Sequence, residues 1–223
     1  MAVMGLRMKC GYLALLLSLF SAWGPVLADA PKKEAPKPKA TVYDYSLVDL
    51  DGKEIQLSTF KGKLLLIVNL ASQSIYSDQI DALNELQKTY ADKGLVVIGI
   101  PSSDFGGQEL NDEAALRKYY RETAHATFPI FARASLHGKD EIPLYLFLTN
   151  PKQSVPGGNI HWNYTKFLID REGRPLARFE VDQDPGDVEF HVTVEKALAG
   201  KLKKKERQGG EDKADADDDD DDE

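Results

Sequence analysis

Two continuous apolar runs separated by a helical pattern dominate the chain. Residues 64–70 (Leu-Leu-Leu-Ile-Val-Asn-Leu) and 95–100 carry almost no polar side chain, which fits strands buried on both faces of a sheet. Between them Ile80, Leu83, Leu86 and Tyr90 recur at helical spacing, with Ser77 or Asp78 as N-cap and Gly94 as the stop signal. Strand, helix and strand in that order predict a right-handed parallel crossover. Upstream, residues 48–55 place Asp51-Gly52 between two short alternating runs, the pattern of a β-hairpin. Downstream, Asn111 or Asp112 caps a helix running to about Glu122. Residues 165–169, a turn over 170–174 and residues 176–181 predict an antiparallel hairpin. A closing amphipathic helix over 187–199 puts Phe190, Val194 and Ala197 on one face. The run from Pro143 through Pro151 to Gly158 reads as a short connection.

A β-α-β unit followed by a β-β-α unit predicts an α/β domain over residues 42–200. Its layout is thioredoxin-like, with a central mixed sheet flanked by helices and an N-terminal β-hairpin. In that layout active groups sit in the loop after the first buried strand.

The flanks are of another kind. Residues 1–28 carry Arg7 and Lys9 as their only charges, then an apolar run over 12–20 and the small-residue ending Val26-Leu27-Ala28. This is the pattern of a secretory signal peptide cleaved after Ala28. The apolar run is too short to span a bilayer, which takes about 20 residues, and Cys10 precedes it, unlike a lipoprotein cysteine. A secreted or periplasmic protein with no membrane attachment after cleavage is therefore expected. Residues 29–41 form a Pro/Lys spacer. Residues 201–223 hold six bases against eleven acids, switching sign from basic to acidic, and no core can be built from them.

With 42% hydrophobic and 29% charged residues over the whole chain, the middle portion can bury a core, which excludes a wholly disordered or collagen-like chain. The net charge of −8, with the acidic tail, disfavours nucleic acid. The first reading of the tail is solubility; a sharper one is binding of cations or a basic protein, although it lacks the ligand spacing and turn glycine of an EF-hand loop. The single cysteine, Cys10, lies in the segment expected to be removed. The mature chain then has no thiol.

Three blocks carry a resemblance. Asn69-Leu70-Ala71-Ser72-Gln73-Ser74-Ile75-Tyr76-Ser77, Pro101-Ser102-Ser103-Asp104-Phe105-Gly106-Gly107-Gln108-Glu109 and Ile160-His161-Trp162-Asn163-Tyr164-Thr165-Lys166-Phe167-Leu168-Ile169-Asp170 resemble, in order, the site segments of the glutathione peroxidase family. The resemblance covers roughly residues 42–200. It implies thiol-dependent reduction of peroxides with glutathione or thioredoxin as reductant, and no bound cofactor or metal. The short run over 143–158 is similar to the compact, monomeric members.

Matched position by position, the family's cysteine or selenocysteine, Gln, Trp and Asn fall on Ser74, Asp104, Trp162 and Asn163. The family's chemistry needs a group that ionises near neutrality and passes through a reducible sulfenic or selenenic state. A serine hydroxyl offers neither, and an aspartate at 104 cannot donate the hydrogen bond of an amide. Ser74 would need an aimed base to act as another kind of nucleophile. The histidines His125, His137, His161 and His191 are scattered, fit no zinc spacing, and offer only His161 nearby. Trp162 and Asn163 have two readings, a retained pocket floor or ordinary strand packing, with packing the first expectation. Asn163-Tyr164-Thr165 also fits a glycosylation sequon, but its place at a strand start argues against modification. Gly106 and Gly107 suit a turn needing positive φ. The resulting expectation is a peroxidase-like protein without peroxidase activity, serving as a binding or scaffold module. The alternatives are residual or partner-supplied peroxidase activity in oxidative-stress response, and binding of cations or basic proteins through the tail.

Overall fold

The computed structural model describes residues 41–152 and 157–202. The expected signal peptide, nearly all of the spacer, and the tail beyond Leu202 lie outside the described residues.

A four-stranded sheet forms the centre, built from β3 (Leu64–Leu70), β4 (Leu95–Pro101), β5 (Lys166–Ile169) and β6 (Pro175–Phe179) in the order β4-β3-β5-β6. It is preceded by a separate two-stranded ribbon of β1 (Ser46–Val48) and β2 (Glu54–Gln56). β3 runs parallel to β4 and antiparallel to β5, and β5 runs antiparallel to β6. The sheet is thus mixed, as the element order requires. Every residue of β3 is buried. Leu64, Leu66, Val68 and Leu70 face one cluster, with Leu83 and Leu86 of α1 (Gln79–Tyr90) and Val194 of α4 (Val188–Leu198). Leu65 and Ile67 face the other, with Tyr43, Leu57 and α3 (Pro143–Thr149). Period-two side-chain alternation therefore gives each face its own core. Burying a Leu or Ile of this kind contributes roughly 1.5–3 kcal/mol.

The ribbon departs from the expected two-residue Asp-Gly turn. Its register pairs Val48 with Glu54, so five residues connect the strands. Asp49 organises them: its Oδ1 accepts from the N–H of Asp51 and of Lys53, both at 2.9 Å. Leu50 is thereby turned inward, only 5% exposed. Mid-strand Gly99 of β4 meets a different need. A Cβ there would lie 2.5 Å from Leu70 Cδ1 and 2.7 Å from Ile130 Cδ1, and the Gly99 backbone bonds both Pro129 O and the Phe131 N–H at 2.9 Å. Any side chain there would have to displace the ends of Leu70 and Ile130, and glycine leaves them their room.

The helices follow their start signals unevenly. Asp112, not Asn111, caps α2 (Glu113–Lys118), accepting from Ala115 N–H at 2.7 Å. The segment continues as a π-helical turn, Tyr119–Thr123. Asp78 stands at the head of α1 without a side-chain cap bond; a train of turns from Ser74 through Ile80 leads into the helix instead. The short connection expected after Pro143 contains α3. Proline at the first helical position starts it, and Leu144, Tyr145, Phe147 and Leu148 are buried, with Tyr145 edge-on to Phe167. Among the described residues no helix is long and apolar enough to cross a membrane.

Candidate functional site

The three sequence blocks occupy the loops after β3, after β4 and before β5. Because β5 is antiparallel to β3, all three meet at one end of the sheet. Backbone and side chains then lock them together. Gln73 N–H donates to Gln108 O at 2.9 Å, joining the first block to the second. Asn163 Nδ2 donates to Phe105 O and Gln108 Oε1, both at 3.0 Å, joining the third to the second. Asn69 Nδ2 donates to Trp162 O at 3.1 Å, and Tyr164 OH to Ala71 O at 3.2 Å, joining the third to the first.

Glu109 is the hub beneath. Only 1% exposed, its carboxylate accepts from Ser72 Oγ, from Ser72 N–H at 3.2 Å, from Leu110 N–H at 2.8 Å and from Tyr120 OH at 2.5 Å. A carboxylate with four donors is compensated for its burial. Burial, and then the charge of Glu109, push the Tyr120 hydroxyl well above its ordinary range, so it stays a donor. Tyr164 is fully buried, and burial likewise raises its hydroxyl. It has a φ of 61°, a left-handed conformation that costs on the order of 1–3 kcal/mol outside glycine and persists only where surroundings impose it. Here they are its bonds to Asn69 O and Ala71 O, and the result fixes the direction of Asn163 beside it.

Ser74 lies 4% exposed at the head of the turns leading into α1. Its Oγ accepts from Tyr76 N–H at 3.3 Å, a local hydroxyl-to-backbone turn ahead of α1. Among the described residues no histidine hydrogen-bonds it. His161 is exposed. Asp104 is exposed and turned elsewhere: its Oδ2 accepts from Leu136 N–H at 2.5 Å and Ser135 Oγ at 3.2 Å, anchoring the loop after residue 134. Trp162 lies across Gly106, its ring edge 3.2 Å from where a Cβ would stand, yet it keeps 37% of its surface open. Gly106 and Gly107 adopt φ of 75° and 64°, as their turn requires. Asn163 is fully buried with its amide donating twice, which leaves the sequon asparagine inaccessible to modification.

The structure therefore brings Ser74, Trp162 and Asn163 into one interlocked set of loops and sends the Asp104 carboxylate to a neighbouring loop. Sequence reasoning assigned no role to Gln108, Glu109 or Tyr164. Gln108 touches every block: its carbonyl holds Gln73, its side-chain oxygen holds Asn163, and its Cγ and Cδ lie 3.5 and 3.6 Å from the same Gly106 Cβ position that the Trp162 ring covers. Gln108 and Glu109 stood within a quoted motif, so a signal was present; nothing in the pattern marked Tyr164 as left-handed.

A second layer supports these loops. Lys166, fully buried at the start of β5, donates from Nζ to Gln183 O at 2.9 Å and Glu180 O at 3.3 Å. Burial lowers its pKa to about 8 against the upward pull of Asp184, Asp182, Glu180 and Asp187. Gln79 at the start of α1 donates to Val181 O at 2.8 Å. The β6–α4 connection is thereby held to the start of α1 and to the third block. The site offers amides, hydroxyls and an indole; among the described residues no group of three or more His, Cys, Asp or Glu is gathered to hold a metal.

Comparison with known proteins agrees with this arrangement. A family model described as glutathione peroxidase matches residues 42–149. A glutathione peroxidase of Lactococcus lactis subsp. cremoris (strain MG1363) is 35% identical over 150 residues, covering 67% of this chain and 96% of the relative. The crystal structure of T. cruzi GPX1 is similar with a TM-score of 0.56 at 30% identity, covering 71% of this chain and 97% of that one. A thiol:disulfide interchange protein of the thioredoxin family from Chlorobium tepidum TLS, at 23% identity and TM-score 0.52 over 74% of this chain and 97% of its own, shares the fold alone. The mixed sheet between two helical layers is thus thioredoxin-like, and with a relative of this identity matched over nearly its whole length, the chain belongs to the glutathione peroxidase family.

Proposed function

We propose that this protein is an exported member of the family that has given up thiol peroxidase chemistry and serves as a binding or scaffold module. The observation that carries the proposal is Ser74, read as standing where the family has its peroxide-attacking cysteine or selenocysteine, in a chain whose single cysteine, Cys10, lies in the expected signal peptide. A hydroxyl that remains protonated at neutral pH and has no sulfenic state cannot cycle between peroxide and a thiol reductant. The Ser74 hydroxyl instead receives the Tyr76 N–H, which gives serine a structural use at this position. Glutathione and thioredoxin are then not its reductants, and the interlocked loops with the open indole of Trp162 are the surface left to bind a partner.

The test is consumption of hydrogen peroxide and of a lipid hydroperoxide by residues 29–223, with glutathione and then thioredoxin, beside Ser74→Cys and Ser74→Cys/Asp104→Gln. The parent is expected to be inert and the variants to turn over peroxide. Because the Asp104 carboxylate bonds Ser135 and Leu136, the second substitution is expected to add little to the first. Turnover by the parent would overturn the proposal and favour the alternative, a peroxidase whose thiol a partner supplies.

A further inference from the structure

At the opposite end of the sheet the molecule carries a different surface. Leu64 opens β3, while the Ser74 loop follows Leu70, about 20 Å farther along the strand. Beside Leu64 lies a cleft of about 710 Å³ with Leu176, Leu198 and Leu202 in its walls. Cations gather there. Arg171 lines the cleft, and its Nη2 donates to Lys93 O at 3.3 Å and Leu198 O at 3.4 Å. A Cβ on Gly94 would lie 3.8 Å from Arg171 Nη2 and 3.9 Å from Lys63 Cδ, so these side chains flank one spot. Lys201, next to Leu202, adds another charge.

Lys63, Lys93, Arg171 and Lys201 are all exposed, and none enters an ion pair among the described residues. Of the acids lining the cleft, Asp170 and Glu172 share Arg174 at 2.8 and 3.0 Å, which leaves one negative charge. Asp92 beside Lys93 is a second, so two of the four positive charges remain in excess. The remainder is an unneutralised basic patch in a protein whose net charge is −8.

The path of the chain suggests what covers it. Lys201 and Leu202 donate their N–H groups to Lys196 O at 2.8 and 3.1 Å, so the polypeptide leaves the domain in the wall of this cleft. Residues 208–223 then hold ten acids and one base. Only residues 203–207 intervene, reaching at most about 18 Å. A tether this short presents the acidic segment at an effective concentration on the order of millimolar, and a run of carboxylates against four neighbouring cations is attracted from up to about 10 Å at moderate salt.

We propose that residues 208–223 dock on the Lys63, Lys93, Arg171 and Lys201 patch of their own domain. The acidic segment is then an internal ligand for the end of the sheet remote from Ser74, and its strength falls with salt.

The test uses a fluorescently labelled peptide of residues 208–223, titrated with the full chain, with the chain ending at Arg207, and with that shortened chain carrying Lys63→Glu/Lys93→Glu. Both lysines are exposed, and the substitution gives up the contact of the Lys93 ammonium with the Tyr90 ring, 5.0 Å away; circular dichroism checks that the variant folds. The peptide is expected to bind the shortened chain in 50 mM salt and the full chain at least tenfold more weakly, because the resident segment competes. The double substitution is expected to weaken binding at least tenfold, and 500 mM salt to abolish it. No binding to the shortened chain, equal binding to the full and shortened chains, or binding indifferent to Lys63 and Lys93 would each overturn the proposal; the last would move the contact to the basic run 203–207.

Discussion

The two halves of the site end are built differently. On the inner side, the loops carrying Ser72, Ser74, Gln108, Glu109, Asn163 and Tyr164 are tied by buried hydrogen bonds in which each partner lies in another block. On the outer side, the Asp104 carboxylate bonds Ser135 and Leu136 of the neighbouring loop from an exposed position. The inner network does not run through the Ser74 hydroxyl. A change there is expected to leave the loops in place, because Glu109 and Asn163 bear the structural load.

Glu109→Ala would break this contrast most severely. It strands the N–H groups of Ser72 and Leu110 and the hydroxyls of Ser72 and Tyr120. Unpaired buried donors cost about 1–3 kcal/mol each where water cannot reach them. With partial relaxation, a loss of about 4 kcal/mol is expected in urea unfolding. A loss below about 1 kcal/mol would mean that the inner loops hold without their hub.

Lys166 sharpens the same point from below. Its ordinary pKa of 10.5 falls to about 8 in the folded chain. Between those values the unfolded chain holds a proton that the folded chain has released, so stability rises with pH across the window. At lower pH the charged, buried ammonium is a constant cost. Relative to Lys166→Met, the natural chain is expected to gain on the order of 3 kcal/mol between pH 8 and 10.5. Taking the difference between the two chains cancels the tyrosines, which titrate nearby. A flat difference would show that Lys166 is solvated where it lies.

The lessons for reading such a sequence lie in particular residues. The β3 and β4 runs were legible because a strand buried on both faces needs unbroken apolar residues, and Gly94 stops the intervening helical segment with φ of 98°. α3 was not legible: Leu144 to Leu148 is a short apolar stretch, which periodicity cannot distinguish from a buried strand. Its helical state comes from Pro143 and from packing on Phe167, a residue distant in sequence. At the site, residue types and their order were visible, whereas the outward turn of Asp104 depends on Ser135 and Leu136, outside every motif. Hydrogen bonds between distant loops leave no local pattern.

On the outer side, Asp104→Ala removes one acceptor from an exposed loop. About 1 kcal/mol is expected, with the change confined to amide exchange of Ser135 and Leu136 and with Ser72 and Tyr164 unaffected. Spread of faster exchange to the inner loops would erase the distinction between the two halves.

The smallest effect is expected at the residue on which the functional proposal turns. Ser74→Ala deletes a single hydrogen bond to the Tyr76 N–H, at 3.3 Å, near the start of α1. A hydrogen bond of this kind contributes about 0.5–1.5 kcal/mol, and a long bond belongs at the low end. The turns from Ser74 into α1 are also held by backbone bonds, Ser77 N–H to Ser74 O at 3.1 Å and Ile80 N–H to Ser77 O at 3.2 Å, which the substitution leaves intact. A loss near 0.5 kcal/mol in urea unfolding, with Ser74→Cys no worse, would show that position 74 is free to carry either chemistry. A loss above about 2 kcal/mol would mean that serine is required by the fold, and the missing thiol would then reflect a structural demand of this turn.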